Sequence, residues 1–299
     1  MDVIARADST GVIQNSEIQS SRRRRQIVRF LRRRPIAVIG VLITLLLLVV
    51  AIFAPLFAPY DPSSQAATRL LPPGLSHLMG TDNLGRDVFS RVLFGTRASM
   101  YVGFVSVAIS LVIGGVLGVV AAYRLGITDT IIMRIMDIIF AFPTLILILA
   151  ISAVVGPSLT TATIVIGLVY VPRFARIARG PALSVMQEPY IEAVRVTGAS
   201  SARIIFRHVM PNIAAPLIIQ TSLSISTAIL TEATLSFLGL GVQPPTPSWG
   251  VMLANARAQL QLAPWLAIFP GLAIMIAVLA FNILGDDLRD ALDPRLRTD

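Results

Sequence analysis

Long stretches of this sequence carry few charged residues or none, and this feature limits the folds open to the chain. Residues 36–58 are the first such stretch and contain no charge at all. An α-helix needs about 20 apolar residues to cross a bilayer of about 30 Å. Further candidate spans lie at 98–122, 131–155, 158–176, 212–232 with an extension to about 239, and 264–285. The pattern predicts an all-α polytopic membrane protein with six transmembrane helices.

Composition narrows the function classes that such a protein can have. Only 14% of the residues are charged, against roughly 25% in soluble domains. There is no cysteine, and His77 and His208 lie far apart, so disulfides, thiol catalysis and a redox or zinc enzyme are disfavoured. Basic residues beside apolar spans typically face anionic lipid, so the net charge of +9 indicates a lipid contact and no nucleic acid.

Arginine is distributed unevenly between the two sides of the predicted membrane. Most arginines fall in residues 1–34, in the 124–134 turn, in residues 173–207 and near the C-terminus; the exceptions are Arg69, Arg86, Arg91, Arg97 and Arg257. Because basic loops stay inside the cell, both termini are predicted to be cytoplasmic. Residues 36–58 are too long for a cleaved signal peptide and are expected to remain as an anchor.

These features predict four regions. Residues 1–34 read as a basic cytoplasmic tail, 35–97 as an anchor with an external segment, 98–288 as the main transmembrane domain, and 289–299 as a cytoplasmic tail. A second long external segment is expected at 240–263. Residues 87–99 have a spacing that suits either a short amphipathic helix on the membrane surface or a plain loop.

The polar segment 179–211 lies between the fourth and fifth spans and requires a structure of its own. Pro189 suits the first turn of a helix that runs to Thr197, and Gly198 can end it in the left-handed conformation. Ser200 can cap a second short helix that ends at His208, before Pro211 starts the next span. We call residues 189–208 the knob, since these helices are expected to project from the membrane between two spans.

The knob resembles the cytoplasmic signature of bacterial ABC importer permeases. The matching residues are Glu192-Ala193-Val194, Gly198 and Met210-Pro211, with Val194 in place of a second alanine and Met210 in place of leucine. Other segments narrow the resemblance to the second permease of the dipeptide, oligopeptide and nickel importer family, over roughly residues 30–295: residues 79–87, Ala141-Phe142-Pro143, 231–241 and 247–250.

The resemblance implies a type I ABC importer permease fold in the bacterial cytoplasmic membrane. It also implies a complex with a homologous second permease, two ATP-binding subunits and an external substrate-binding protein, with short peptides as cargo. ATP and magnesium are then expected in the partner ATPases, with no cofactor or metal on this chain. The chain has no lysine and hence no phosphate-binding loop of the Gly-x-x-x-x-Gly-Lys type, so it is expected to be non-catalytic.

Two sets of residues are the candidate site. The knob is expected to couple the permease to the ATPases, and Glu192 and Arg195 either pair with each other or contact the ATPase surface. The residues assigned to coupling are Tyr190, Glu192, Ala193, Arg195, Gly198, Ala199, Ser200, Arg203 and Arg207. His208 is expected to take part in docking or capping and not in metal binding.

The fifth predicted span carries a stripe of polar residues. Gln220, Ser224, Thr227 and Thr231 fall on one helical face, where they serve either as a hydrated pathway wall or as packing groups. Glu232 and Asp137 are acids in the membrane region, which makes them candidates for function. Asp137 can instead pair with Arg134, and Glu232 can lie in the outer interfacial zone or lock helices together.

The second predicted span contains closely spaced glycines. The Gly-x-x-x-Gly spacing of Gly114 and Gly118 favours close helix packing.

Some alternative functions remain open. A nickel or metal-chelate importer is the main alternative within the family. A proton-coupled secondary transporter, with Asp137 and Glu232 as relays, leaves the knob unexplained, and the spans offer few groups for a membrane-embedded enzyme.

Overall fold

The computed structural model describes residues 35–292, which are almost entirely helical. Five of the helices in this range are long and apolar enough to cross a membrane, and α3 and α4 together form a sixth candidate span. The predicted all-α fold is confirmed. The helices are α1 (Pro35–Phe57), α2 (Val88–Arg124), α3 (Gly126–Phe140), α4 (Thr144–Val155), α5 (Leu159–Met186), α6 (Pro189–Val196), α7 (Ser201–Ile204), α8 (Met210–Phe237), α9 (Trp249–Ala256) and α10 (Trp265–Leu292).

Parts of two predicted regions lie outside the described residues. These are the basic tail, residues 1–34, and residues 293–299 of the C-terminal tail. The described part of the C-terminal tail, residues 289–292, continues α10 as helix. The two tails therefore stay predictions from the sequence.

The third predicted span, 131–155, is a bent pair of helices. Helix α3 ends at Phe140, α4 begins at Thr144, and the two axes are bent by 86°. Pro143 explains the break, because a proline disfavours helical geometry at the residue before it, here Phe142. The sequence predicted the end of this span at Val155, but neither its start at Gly126 nor its bend.

Helix α2 is longer than predicted, since it begins ten residues before Ala98, at Val88. The Asp87 side chain caps it by accepting a hydrogen bond of 2.7 Å from the backbone N–H of Ser90. Val88 and Arg91 are buried. The surface helix and the plain loop predicted for 87–99 are therefore both wrong, because this segment is the buried start of a span.

The start of α2 is buried by the two long segments between spans, 58–87 and 238–264, which we call the cap. Arg86 Nε donates to Asp82 Oδ2 at 2.7 Å, and Arg91 Nη1 donates to the carbonyl oxygen of Pro62 at 2.8 Å. Trp249 in α9 is fully buried, and its Nε1 donates to the carbonyl oxygen of Val92 at 3.0 Å. Hydrogen bonds of buried charged and polar groups thus hold the cap against α2.

Helices α2 and α5 approach each other closely along a pair of glycines. A Cβ atom on Gly114 would lie 2.5 Å from the carbonyl oxygen of Val171, and one on Gly118 would lie 2.3 Å from that of Ala175. No side chain fits in these gaps, so the backbones are in direct contact. The predicted packing role of this Gly-x-x-x-Gly pair is confirmed.

The remaining spans pack around this pair. Phe174 of α5, Ile229 of α8 and Phe281 of α10 belong to one buried apolar cluster. Helix α1 lies at the edge of the bundle, where Gly40 contacts Ile283 of α10. Most of the α1 surface is apolar and exposed, as expected for a helix that faces lipid.

Candidate functional site

The knob has the local structure that its sequence predicts. Pro189 occupies the first turn of α6, which ends at Val196. Gly198 follows with a φ of +78°, in the left-handed region that favours glycine. The Ser200 hydroxyl accepts a hydrogen bond of 3.4 Å from the backbone N–H of Arg203 and caps α7.

The second predicted helix of the knob does not stop before Pro211. Helix α7 passes through a π-helical turn, Ile205–Val209, directly into α8, so the expected boundary is wrong. A proline lacks an N–H group and crowds the carbonyl four residues earlier, and a wider turn relieves this conflict. Asn212 Nδ2 donates to the carbonyl oxygen of His208 at 2.6 Å within the turn.

Two isoleucines anchor the knob to the bundle. Ile191 of α6 and Ile204 of α7 are buried in the main apolar cluster. On the outer side Val196 is 84% exposed and Phe206 is 73% exposed. Exposed apolar groups ringed by charged ones are typical of a surface that binds another protein. Neither Val196 nor Phe206 belongs to the residues that carry the family resemblance.

The predicted coupling residues mostly face outward around this apolar surface. Glu192 and Arg195 are both exposed but form no ion pair with each other in the structure. The Arg195 guanidinium instead lies 5.7 Å from the ring centre of Tyr123, whose hydroxyl donates to Ser201 Oγ at 2.6 Å. Ala199 is half-buried, and the others are exposed: Tyr190, Ala193, Gly198, Ser200, Arg203 and Arg207.

The polar stripe on α8 is divided between buried and open positions. Ser224 is fully buried and accepts a hydrogen bond of 2.8 Å from Gln220 Nε2, so it serves packing. Thr227 is exposed, and Thr231 is half-buried beside Tyr170, with 3.0 Å between the two hydroxyl oxygens. The predicted pathway face therefore retains Gln220, Thr227 and Thr231, without Ser224.

Two open cavities flank this face. One has a volume of about 400 Å³ and includes Gln220, Ser226 and Asn282 in its wall. The other has a volume of about 200 Å³ and lies between α4, α5 and α8. Thr227 and Arg173 line both cavities. The two cavities together form a concave surface on the membrane bundle, with Arg173 and neutral polar side chains set among apolar ones.

Arg173 is a member of this surface that the sequence reasoning missed. It lies near the middle of α5 and is exposed. No hydrogen bond or ion pair joins Arg173 to the residues that the structure describes. A charged side chain inside a predicted span marks a candidate site by itself, and this signal was available in residues 158–176. Arg173 also begins the arginine-rich stretch 173–207, so the arginine distribution alone gives it no role apart from orientation.

The two membrane-region acids have structural partners. Asp137 accepts a hydrogen bond of 2.6 Å from Arg176 Nη2 in α5, so the expected pairing with Arg134 is wrong. Asp129, five residues before Arg134, accepts a hydrogen bond of 2.6 Å from Arg179 Nε. Both ion pairs join α3 to α5, and such pairing across helices cannot be read from spacing within one helix.

Glu232 is fully buried where α8 meets α2 and α9. Its carboxylate accepts a hydrogen bond of 2.9 Å from Ser99 Oγ and one of 2.7 Å from Ser236 Oγ. Ser236 Oγ also accepts from the backbone N–H of Val242 at 3.0 Å. Glu232 thus joins three parts of the bundle and lines neither of the two cavities, which supports helix locking over substrate contact.

His208 lies beside aromatic and amide groups. Its ring centre is 6.0 Å from that of Tyr190, and the Tyr190 hydroxyl lies 3.4 Å from Asn212 Nδ2. Residues 35–292 contain no cluster of three or more histidine or acidic side chains that could hold a metal ion.

Comparison with known proteins identifies the family. Residues 114–298 match the binding-protein-dependent transport system inner membrane component, and residues 23–73 match the N-terminal TM domain of oligopeptide transport permease C. The chain is 44% identical to the dipeptide transport system permease protein DppC of Alkalihalophilus pseudofirmus, over 92% of this chain and 90% of that protein. It is 47% identical to the di/tripeptide transport system permease protein DppC of Pseudomonas aeruginosa, over 86% and 88%.

Further similarities agree with this assignment. The glutathione transport system permease protein GsiD of Pectobacterium atrosepticum is 46% identical, over 90% of both chains. A solved chain of the MetNI methionine ABC transporter, in an inward facing conformation, has a TM-score of 0.54 at 19% identity and covers 69% of this chain and 97% of that one. This chain therefore belongs to the binding-protein-dependent transport system inner membrane components, the non-catalytic permease subunits of ABC importers.

Proposed function

We propose that this chain moves short peptides across the cytoplasmic membrane as one permease of an ATP-driven importer. The observation that carries the proposal is its similarity, over about nine tenths of both chains, to permeases named for dipeptide, peptide and glutathione transport. The concave surface between α5 and α8 supports it, because hydrogen-bonding side chains lie in its wall. A peptide backbone presents both donors and acceptors, which suit the amide and hydroxyl groups of Gln220, Thr227 and Asn282.

The knob is the proposed docking surface for the ATPase subunits. Its core side is fixed to the bundle by Ile191 and Ile204, while Val196 and Phe206 present apolar surface outward. Burial of such side chains contributes about 1.5–3 kcal/mol each when a partner covers them. ATP-driven movement of the partners would then reach α8 through the continuous helical path from Ser201 to Phe237.

The complex contains, in this proposal, a homologous second permease, two ATPase subunits and an external substrate-binding protein. ATP and magnesium bind to the ATPases. Both termini and the knob face the cytoplasm, as the arginine distribution favours. The four sequence regions form part of this proposal, with the boundary between the second and third moved from residue 97 to Asp87, because α2 begins at Val88.

Purification of the complex from its native host tests the proposal. The chain is isolated in mild detergent, co-purifying subunits are identified, and ATP hydrolysis and uptake are measured with dipeptides, tripeptides and nickel. We expect a second permease and ATPase subunits to co-purify, and we expect peptides to stimulate hydrolysis. Double substitution of Val196 and Phe206 by serine should release the ATPases but keep the second permease.

The outcomes separate the alternatives. Nickel uptake without peptide uptake would refute the peptide cargo, while a stable complex without an ATPase would refute the importer assignment. Retained ATPase binding by the double variant would refute the docking surface. The matched control replaces Val154 and Val155 at the end of α4 by serine; both are exposed and far from the knob in sequence, and we expect normal assembly.

A further inference from the structure

We propose that Arg173 is the anchor for the C-terminal carboxylate of the peptide during its passage through the membrane. This inference rests on the proposed function and assigns one end of the cargo to one side chain. Arg173 lies between the two cavities of the concave surface and lines both of them. Together the cavities reach the size of typical small-molecule sites, about 300–1,000 Å³.

Arg173 lies inside the predicted span 158–176 but has no anionic partner in the described part of the chain. A charged residue inside a span is costly unless it faces water or a partner, so such a residue is a candidate for function. Arg176 and Arg179, on the same helix, meet this need through Asp137 and Asp129. Arg173 has no such partner among residues 35–292, and neither cavity wall contains an acidic residue.

The chemistry of the wall fits one end of a short peptide. A guanidinium group binds a carboxylate through two parallel hydrogen bonds, so it recognises a free C-terminus better than an amide. Around Arg173 the wall supplies uncharged groups. The Asn282 amide lies beside the Ser226 hydroxyl, with 2.7 Å between the Asn282 amide oxygen and Ser226 Oγ.

A single positive charge among neutral hydrogen-bonding groups can hold a peptide by its terminus without selecting its side chains. The carboxylate is shared by all unmodified peptides, whereas the amides and hydroxyls meet backbone groups that are also shared. The side chains of the cargo then project into the rest of the open cavities. Such a site accepts many sequences but requires a free C-terminus.

The absence of cysteine in the natural chain allows a direct test. Thr227→Cys places a thiol beside Arg173 in the assembled complex, and Ile218→Cys places a control thiol on an exposed part of the same helix outside both cavities. Labelling is measured with anionic sulfonatoethyl and cationic trimethylammonioethyl methanethiosulfonate. We expect the anionic reagent to react about tenfold faster than the cationic reagent at Thr227→Cys. Arg173→Gln should remove this preference.

Peptides provide the second arm of the test. Alanyl-alanine should slow labelling of Thr227→Cys, whereas alanyl-alanine amide should not, and Arg173→Gln should abolish the protection. If Arg173→Gln prevents assembly, Arg173→Lys keeps the charge without the two-pronged geometry and should retain the reagent preference with weaker protection. Labelling at Ile218→Cys should show neither effect.

Several results would overturn the inference. One is an inert Thr227→Cys in the assembled complex. Another is equal rates for both reagents, as an anion from a lipid or another subunit paired with Arg173 would give. The others are equal protection by the amidated peptide and a reagent preference without peptide protection. A complex that imports peptides but shows any of these results refutes only the role of Arg173. A complex that is protected by alanyl-alanine but imports no peptide refutes the proposed transport and leaves the carboxylate site standing.

Discussion

Substitution of Gly198 should weaken the docking of the ATPases through backbone strain alone. Gly198 has a φ of +78°, and a Cβ atom added there would meet no heavy atom within 4 Å. The left-handed conformation costs other residues about 1–2 kcal/mol, and asparagine tolerates it better. Gly198→Ala and Gly198→Val should therefore disfavour the docked shape of the knob without a steric clash, and Gly198→Asn should have the mildest effect.

The expected magnitude follows from this cost. If docking must restore the left-handed turn, the dissociation constant of the ATPase rises by the full cost, about 5- to 30-fold for 1–2 kcal/mol. Valine should lie at the upper end, because a β-branched side chain adds crowding near its own backbone. Uptake at limiting ATPase concentration should fall in the same order.

The assay is a titration of purified permease complex with ATPase subunits, read by co-sedimentation and by ATP hydrolysis. Gly180→Ala is the matched control. Gly180 also has open space around its Cβ position, but it lies in α5 and lacks a positive φ. The same added methyl group should leave docking unchanged there.

The reasoning fails if Gly198→Val docks with wild-type affinity, or if Gly198→Asn is as damaging as valine. The first result would mean that the left-handed turn is not needed in the docked state. The second would mean that the loss of affinity comes from a contact with the partner and not from the backbone conformation.

Two further predictions concern the bundle itself. Gly118→Ala should lower the thermal stability of the detergent-purified protein by about 1–3 kcal/mol through overpacking, because its Cβ would lie 2.3 Å from a carbonyl oxygen of α5, whereas Gly115→Ala meets open space and should not. Equal melting temperatures of the two variants would contradict the close helix contact. Ser99→Ala should lower the free energy of unfolding by about 1–3 kcal/mol, because it removes a hydrogen bond from the buried Glu232. Denaturant titration should show a smaller loss for the control Ser106→Ala, because the Ser106 hydroxyl donates only within α2. A larger loss at Ser106 would show that the Ser99 hydrogen bond does not lock the helices.

The parts of the fold predicted correctly depend on local rules. Pro189 at a helix start, Gly198 at a left-handed end and Ser200 as a cap each act within a few residues, and all three occur as expected. The long apolar spans are also local features, because each is a continuous stretch of sequence whose length matches the thickness of the bilayer. The Gly114 and Gly118 contact follows from spacing within one helix.

The predictions that failed depend on which helices become neighbours. Asp137 pairs with Arg176 of another helix and not with Arg134. Of the two roles left open for the polar stripe, the burial of Ser224 supports packing at that position. The start of α2 is buried because the cap folds over it, which no periodicity in residues 87–99 reveals. Arg173 was recognisable as a charge within a span, but its open cavities depend on the placement of α8 and α10.

One helix joins the two ends of this permease. Helix α2 has 37 residues, so it is about 55 Å long; it starts beneath the cap and ends beside the knob, where Tyr123 contacts Ser201. Since the last third of α2 is held to α5 by direct backbone contact at Gly114 and Gly118, we expect the cap, α2 and α5 to move as one rigid unit. The cavities around Arg173 would then change their width where this unit meets α8. A displacement of the knob would in this way move the cap on the opposite side of the membrane, whether or not a peptide is bound.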